Sequence, residues 1–355
     1  MGKDRRTTTD VRYREVALSW LFAYPFRCFA LADPTSERIF LHDSTKIARI
    51  AATHRYGCRK HAPCRVTHTE EEAEEITGIL LVAQEELAER PEQCDLFTAE
   101  ILAKMVAYHE WHRGETLSVP CLNKGLRTRM HLYTINKVFR LWHGMRAFGL
   151  ISRDGAPLLL FRGTDLSLKR KEGRASIIST LDPGGPGRTV FEEAEKELKV
   201  WLRKVTAMYG KARAIGHSLG GAIASYVILR QRRYFSFSPH SSSYSFNAPG
   251  IPSAYIETDP PSPPDEMPTY RGFISRGDVI SKFGTLFGNI TELSLRSPLL
   301  PIEAHERLMF AEPELFLRQV DLSEENSTYS RYFYSRLKQH ASSALYEWGL
   351  RFLLG

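Results

Sequence analysis

The stretch Ala214-Ile215-Gly216-His217-Ser218-Leu219-Gly220-Gly221 decides the reading of this chain. It holds a G-x-S-x-G centred on Ser218, entered by an apolar Ala-Ile pair and left by an apolar run from Ala222 to Arg230. A strand that turns sharply into a helix at the serine lifts its Oγ clear of the sheet. Gly216 and Gly220 lack the Cβ atoms that would hold strand and helix apart. The helix N-terminus then aims N–H groups at negative charge forming beside the serine. The motif alone is not decisive, because at average glycine and serine usage roughly one chain in ten of this length carries it by chance. The plain alternative is a serine in a glycine turn that opens an ordinary helix, and the flanking sequence decides between the two.

Upstream, Leu158-Leu159-Leu160-Phe161 is a short continuous apolar run that stops at Arg162-Gly163-Thr164-Asp165, the pattern of a buried strand ending in a functional turn. A loop from Leu166 to Arg188 follows, then an amphipathic helix from Thr189 to Met208 and a strand, Lys211 to Ile215, that feeds Ser218. Downstream come a helix over Ala222 to Arg233, a strand Tyr244 to Asn247 broken by Ala248-Pro249-Gly250, and a rigid Pro-rich connector, Pro260 to Pro268. A strand Tyr270 to Ser275 ends at Arg276-Gly277-Asp278, and Ile290 to Leu295 is the last strand. This alternation predicts an α/β fold, a mainly parallel sheet with helices on both faces.

Residues 1–148 read as a separate, mainly helical region, with 149–355 as the strand-and-helix region. Thr69-Glu70-Glu71-Glu72 is a capping box opening a helix with Ile76, Ile79, Leu80, Ala83 and Leu87 on one face. Further helices fit Asp95 to His112 and Thr134 to Phe148. His109, Trp111, His112 and Trp142 read as core or surface residues. The tail from Arg331 to Leu354 reads as an aromatic, basic amphipathic helix, which packs on the domain or meets a membrane surface.

A serine hydroxyl needs a base to take its proton and a third group to orient that base. Loops after successive parallel strands converge at their carboxyl ends, so the acid and the base are sought there. Asp278 directly follows one strand and His305 follows the next across a short loop. They are the expected acid and base for Ser218, with His340 in the tail as the alternative base. His217 adjoins the nucleophile and is expected to point away from its Oγ as a packing and hydrogen-bonding residue. The N–H of Leu219 and Thr164 are the expected oxyanion donors, each worth about 3–4 kcal/mol in the transition state, and Arg162 is expected to prop the loop beneath Thr164.

The ordered landmarks Phe161-Arg162-Gly163-Thr164, Ile215 to Gly221, Phe246-Asn247-Ala248-Pro249-Gly250 and Gly277-Asp278-Val279 resemble those of class 3 lipases, a family similar to fungal triacylglycerol lipases and plant phospholipases A1. The resemblance covers about residues 155–310. It implies an α/β-hydrolase fold, serine-dependent hydrolysis of carboxylic esters of lipids, no metal or organic cofactor, and a lid over the serine. The family roles fall on Ser218, Asp278, His305, Thr164 and Leu219. The interval from Asp278 to His305 is shorter than in typical members, and residues 1–148 match no landmark. The lid would be the loop Leu166 to Arg188, whose Lys169, Arg170, Lys171 and Arg174 could greet anionic headgroups or form a solvated surface. Two alternatives stand beside hydrolysis. One is acyl transfer or thioester cleavage at the same serine. The other is a catalytically silent hydrolase fold that binds lipid or a protein.

Composition bounds the rest. At 355 residues, 43% hydrophobic and 25% charged, the chain can bury a full globular core. A net charge of +7 would suit anionic membranes or acidic ligands, so peripheral membrane contact is an open expectation. Nucleic-acid binding is not expected, since no recognition motif or basic stripe interleaved with aromatics is present. Five cysteines (Cys28, Cys58, Cys64, Cys94, Cys121), odd in number and loosely spaced, argue for a reducing compartment over a disulfide framework. The cluster His54, Cys58, His61, Cys64, His68 could ligate zinc but has no usual finger spacing, and reads as a surface loop. Val16 to Phe26 faintly resembles a signal sequence, yet charge at both borders and Pro25 inside favour a buried or interfacial segment. The expected location is the cytoplasm or a membrane surface, with secretion as the alternative.

Overall fold

The computed structural model describes residues 38–41, 46–47, 49–50, 70–122, 128–164, 171–257 and 267–327, with the isolated positions 346 and 351. Among these, ten strands form one sheet in the order β1-β10-β9-β8-β7-β6-β5-β4-β3-β2. The strands are β1 Arg38–Leu41, β2 Thr116–Leu122, β3 Thr128–Arg140, β4 Arg146–Ile151, β5 Leu158–Phe161, β6 Arg213–His217, β7 Ser243–Phe246, β8 Tyr270–Ser275, β9 Asn289–Ser294 and β10 Glu314–Gln319. Pairings from β5 through β9 are parallel. Those of β1, β10 and β9 at one edge, and of β2 through β5 at the other, are antiparallel. The sheet is therefore mixed rather than mainly parallel, and the architecture is α/β.

The parallel centre is covered on both faces, and β5 accordingly reads as a continuous apolar run, while β6 to β9 are buried although they include polar residues. Side-chain alternation sends Leu158, Leu160, Ile215, Tyr244, Phe246, Phe273 and Leu293 to one core. Leu159, Phe161, Ala214, Ile274 and Ile290 go to the other. The second core is filled by α3 Lys171–Thr180, α4 Arg188–Tyr209 and α5 Leu219–Arg230. Helix α4 buries Val190, Phe191, Ala194, Leu198, Trp201, Leu202 and Val205 along one stripe. Because β5 to β9 follow in sequential order and crossovers are right-handed, the chain returns on that face each time. The opposite face is closed instead by two helices from before the parallel strands, α1 Glu70–Glu86 and α2 Pro91–Lys104.

Where they are described, residues 1–148 combine helices α1 and α2 with strands β1 to β3, and the expected boundary at 148/149 falls inside β4. The helix expected over Thr134 to Phe148 is the second half of β3, a turn at Trp142–Gly144, and the start of β4. The misreading has a physical cause. A register shift between Ile135 and Lys137 moves the strand by one residue. Tyr133 and Ile135 then share one core with Val138, while Phe139 turns to the other. Ile135, Val138, Phe139 and Trp142 imitate the i, i+3, i+4, i+7 spacing of a helix. The helix expected from Asp95 starts earlier, with Pro91 in its first turn, ends at Lys104, and passes into a 3₁₀ turn at Val106–Tyr108.

The expected loop Leu166 to Arg188 contains helix α3, with Ala175 and Ile178 buried in the second core. Two short helices complete the described chain before the strand pair at the edge, α6 Ser253–Glu257 and α7 Pro301–Glu306, and α8 Leu322–Ser327 follows β10. The segment Val16 to Phe26, the His54–His68 cluster, Lys169 and Arg170, most of Pro260 to Pro268, and the tail around His340 except positions 346 and 351 lie outside the described residues. No helix among the described residues is long and apolar enough to cross a membrane.

Candidate active site

Five consecutive parallel strands end on the same side of the sheet. Each is followed by a residue of the site: Gly163-Thr164 after β5, Ser218 after β6, Asn247 after β7, Asp278 after β8 and, beyond the loop 295–300 and most of α7, His305 after β9.

Ser218 sits between β6 and α5 with φ 55° and ψ −130°, backbone angles that L residues rarely adopt. Two close approaches hold it there. A Cβ on Gly216 would lie 2.4 Å from the carbonyl of Gly220, and one on Gly220 would lie 2.5 Å from the carbonyl of Phe161. Only glycine lets strand and helix approach this closely. Ser218 N–H donates to the Phe246 carbonyl at 2.9 Å, tying the turn to the neighbouring strand.

Three side chains far apart in sequence form one hydrogen-bonded row. Ser218 Oγ lies 3.0 Å from His305 Nε2. His305 Nδ1 lies 3.0 Å from Asp278 Oδ1. Asp278 is wholly buried, and its two oxygens also accept the N–H groups of Ile280 (3.0 Å) and Ser281 (3.1 Å), which fix the carboxylate toward the ring. With Asp278 accepting at Nδ1–H, the imidazole presents Nε2 to the serine as an acceptor. Burial pulls the pKa of His305 down, but the charge and hydrogen bond of Asp278 outweigh it, and the net result is a pKa above the ordinary histidine value.

Two residues fix the backbone of the histidine itself. Asn247, in a left-handed conformation at φ 48°, donates through Nδ2 to the carbonyls of Ala304 and His305, both at 2.8 Å. Its Oδ1 accepts Ser275 N–H at 2.7 Å, which links the ends of β7 and β8 to α7. His217, fully buried, donates from Nε2 to the same His305 carbonyl at 2.9 Å, with its ring centroid 4.7 Å from that of His305. Its Nδ1 stands 3.5 Å from the Tyr108 hydroxyl. Asn247 lies in the landmark Phe246 to Gly250, where sequence alone states no role for it. Its asparagine at a strand end beside Pro249-Gly250 was the signal that a left-handed position lay there.

The expected oxyanion donors lie beside this row. Leu219 opens α5, so its N–H belongs to the first turn, where intrahelical partners are lacking. A Cβ on Gly163 would stand 3.4 Å from Ser218 Cβ, so the turn that leads into Thr164 packs against the serine. Thr164 Oγ1 lies 3.4 Å from Thr180 Oγ1 at the end of α3, so that helix borders the site. Arg162 points below the turn, with Nε on the Ala107 carbonyl (3.0 Å) and Nη2 on the His109 carbonyl (3.1 Å).

The atoms best disposed for a metal among the described residues are those of His217, His305 and Glu306, which lie within 4.8 Å of one another. Three of the four ring nitrogens of these histidines are held within 3.0 Å by hydrogen-bond partners of the site, so this donor set is already engaged.

No family profile matches this chain, and no curated protein matches it. Among solved structures, a triacylglycerol lipase from Penicillium expansum is similar to it, with a TM-score of 0.38 and 17% identity over 68% of this chain and 87% of the lipase.

Proposed function

We propose that this protein is a serine hydrolase of carboxylic esters, of the lipase type, with an α/β-hydrolase catalytic region. The observation that carries the reading is the row Ser218 Oγ, His305 Nε2 and Nδ1, Asp278 Oδ1, each link 3.0 Å long. Ser218 attacks the ester carbonyl as His305 takes its proton, and Asp278 stabilises the imidazolium formed. Leu219 N–H and Thr164 hold the oxyanion. His305 then gives the proton to the leaving alcohol, and water cleaves the acyl-enzyme by the same steps in reverse.

A lipid substrate is supported by the exposed apolar side chains of Leu300 (55% exposed), which caps the short helix that carries His305, and Ile302 (49% exposed), in its first turn. Peripheral contact with a lipid surface belongs to the same proposal. The test is a panel of short p-nitrophenyl esters, triacylglycerols and phospholipid vesicles offered to wild type and Ser218→Ala, with glycerol added in one arm. Release of fatty acid that disappears in Ser218→Ala supports hydrolysis. Acylated glycerol in place of fatty acid would redirect the reading to acyl transfer, and no turnover of any ester would favour a binding module.

A further inference from the structure

Helix α2 takes no part in the reaction described above, yet it carries two buried charges aimed at the chain beside the base. Glu100 is wholly buried. Its Oε1 accepts Lys104 Nζ at 2.8 Å and Met309 N–H at 2.9 Å, and its Oε2 accepts Phe310 N–H at 2.8 Å. Lys104 Nζ also donates to the Arg307 carbonyl. The loop leaving α7 immediately after His305 is therefore held by charge-assisted bonds, which are roughly twice as strong as neutral ones.

Beyond its C-terminal end the same segment grips the other side of the site. The carbonyls of Ala107 and His109 receive the Arg162 guanidinium, and Arg162 directly precedes Gly163-Thr164. The Tyr108 hydroxyl fills the space where a Cβ on Gly163 would project, 2.2 Å away.

Stability alone does not account for the Glu100–Lys104 pair. Desolvating two charges costs about what their attraction returns, and apolar residues of similar volume often serve as well or better. What the pair provides is directional bonding to three particular backbone groups, at Arg307, Met309 and Phe310. An apolar pair cannot supply it.

We propose that α2 and the turn Val106–Tyr108 are a brace that sets the spacing between the His305 loop and the Gly163-Thr164 turn. Glu100 and Lys104 are positioning residues for the base, and Arg162 is a positioning residue for the oxyanion side. This rests on Ser218, His305 and Asp278 acting as the reacting triad. A chain stripped of the buried pair keeps its fold and loses rate.

The experiment compares full-length wild type with the double variant Glu100→Leu, Lys104→Met, the single variant Glu100→Gln, and Arg162→Met. Four quantities are read: the rate constant and half-saturating concentration for phosphonylation of Ser218 by a fluorophosphonate, the melting temperature, and hydrogen exchange at the Met309 and Phe310 amides. The double variant is expected to stay folded and to melt below wild type, since the buried N–H groups of Met309 and Phe310 lose their acceptor. Its labelling rate at saturation should fall about 10- to 100-fold, the size of effect expected from a shift of up to about 1 Å in the reacting groups. The half-saturating concentration should stay unchanged, and the two amides should exchange faster. Arg162→Met gives the same loss from the opposite side, and decides the matter if the double variant does not fold. Folded variants that label as fast as wild type overturn the brace and leave the triad standing. A wild type that labels nowhere at Ser218 overturns both.

Discussion

The side-chain amide of Asn247 donates to the carbonyl oxygen of His305 at 2.8 Å, across 58 residues of sequence, so a strand end on β7 sets where the imidazole stands. The same amide holds Ala304, and its oxygen takes the Ser275 amide, which makes this residue the node between β7, β8 and α7. Replacing it with alanine leaves two carbonyls and one amide without these partners. Asn247→Ala is expected to lower kcat on a soluble ester about 10- to 100-fold with KM little altered. A variant with wild-type kcat, measured with an active-site titrant to count folded sites, contradicts this.

The pH dependence follows from His305. Its pKa is raised, with Asp278 supplying what outweighs the lowering by burial. The base works only when neutral, so activity rises with pH through this pKa, and the midpoint of the acid limb of kcat/KM lies above the ordinary histidine value of about 6.5. In Asp278→Asn the raising influence goes and the burial stays. The rate falls by about 10⁴-fold, and the acid limb moves to lower pH. A pH–rate profile in which the limb moves upward or stays in place contradicts the assignment.

Gly216 is held by contact as well as by conformation. Its replacement with alanine drives a Cβ to within 2.4 Å of the Gly220 carbonyl, which is backbone and cannot swing away. Gly216→Ala is expected to destabilise the fold by about 1–3 kcal/mol in urea unfolding, and to reduce the rate even where the protein is fully folded. An unchanged unfolding midpoint contradicts the packing described.

At the amino ends of β6 and β7, Asp95 receives both terminal nitrogens of Arg213 at 3.1 Å and the Tyr244 hydroxyl at 2.6 Å, all of them buried. Asp95→Ala leaves the guanidinium charged in the core without its carboxylate. The expected loss is about 3–5 kcal/mol, measured by denaturant unfolding. A loss below about 1 kcal/mol would mean that the arginine finds other partners.

The exposed apolar side chains at the start of α7 give a prediction about substrate. Exchanging Leu300 and Ile302 for serine removes this apolar surface without touching the triad. Turnover of vesicle or emulsified lipid should fall about tenfold more than turnover of a short soluble ester. Equal losses on both would separate these side chains from the substrate.

Much of the centre was legible in sequence because its signals are local. The apolar run of β5, the glycines about Ser218 and the turn residues at Gly277-Asp278 each state a strand end within a few positions. The order of those strand ends then brings Ser218, Asp278 and His305 together, as the structure has them. The antiparallel half was not legible, since one bulge at Ile135/Lys137 gives β3 a helix-like spacing. Nor was the placement of α2, because nothing local tells a glutamate at the buried core, such as Glu100, from one on a solvated face. Its partners Met309 and Phe310 lie 209 and 210 residues away. The helix α3 within 166–188 was not legible either, because charge and glycines mask the short apolar face that carries Ala175 and Ile178.

The central claim is that Ser218 is a nucleophile activated by His305. The most direct measurement is intact-mass and peptide-mapping mass spectrometry of the full chain after exposure to a fluorophosphonate. One phosphonyl adduct is expected, on the peptide carrying Ser218, lost in Ser218→Ala and slowed severely in His305→Ala. A folded wild-type chain that takes up no adduct at Ser218, in detergent or with lipid present, contradicts it.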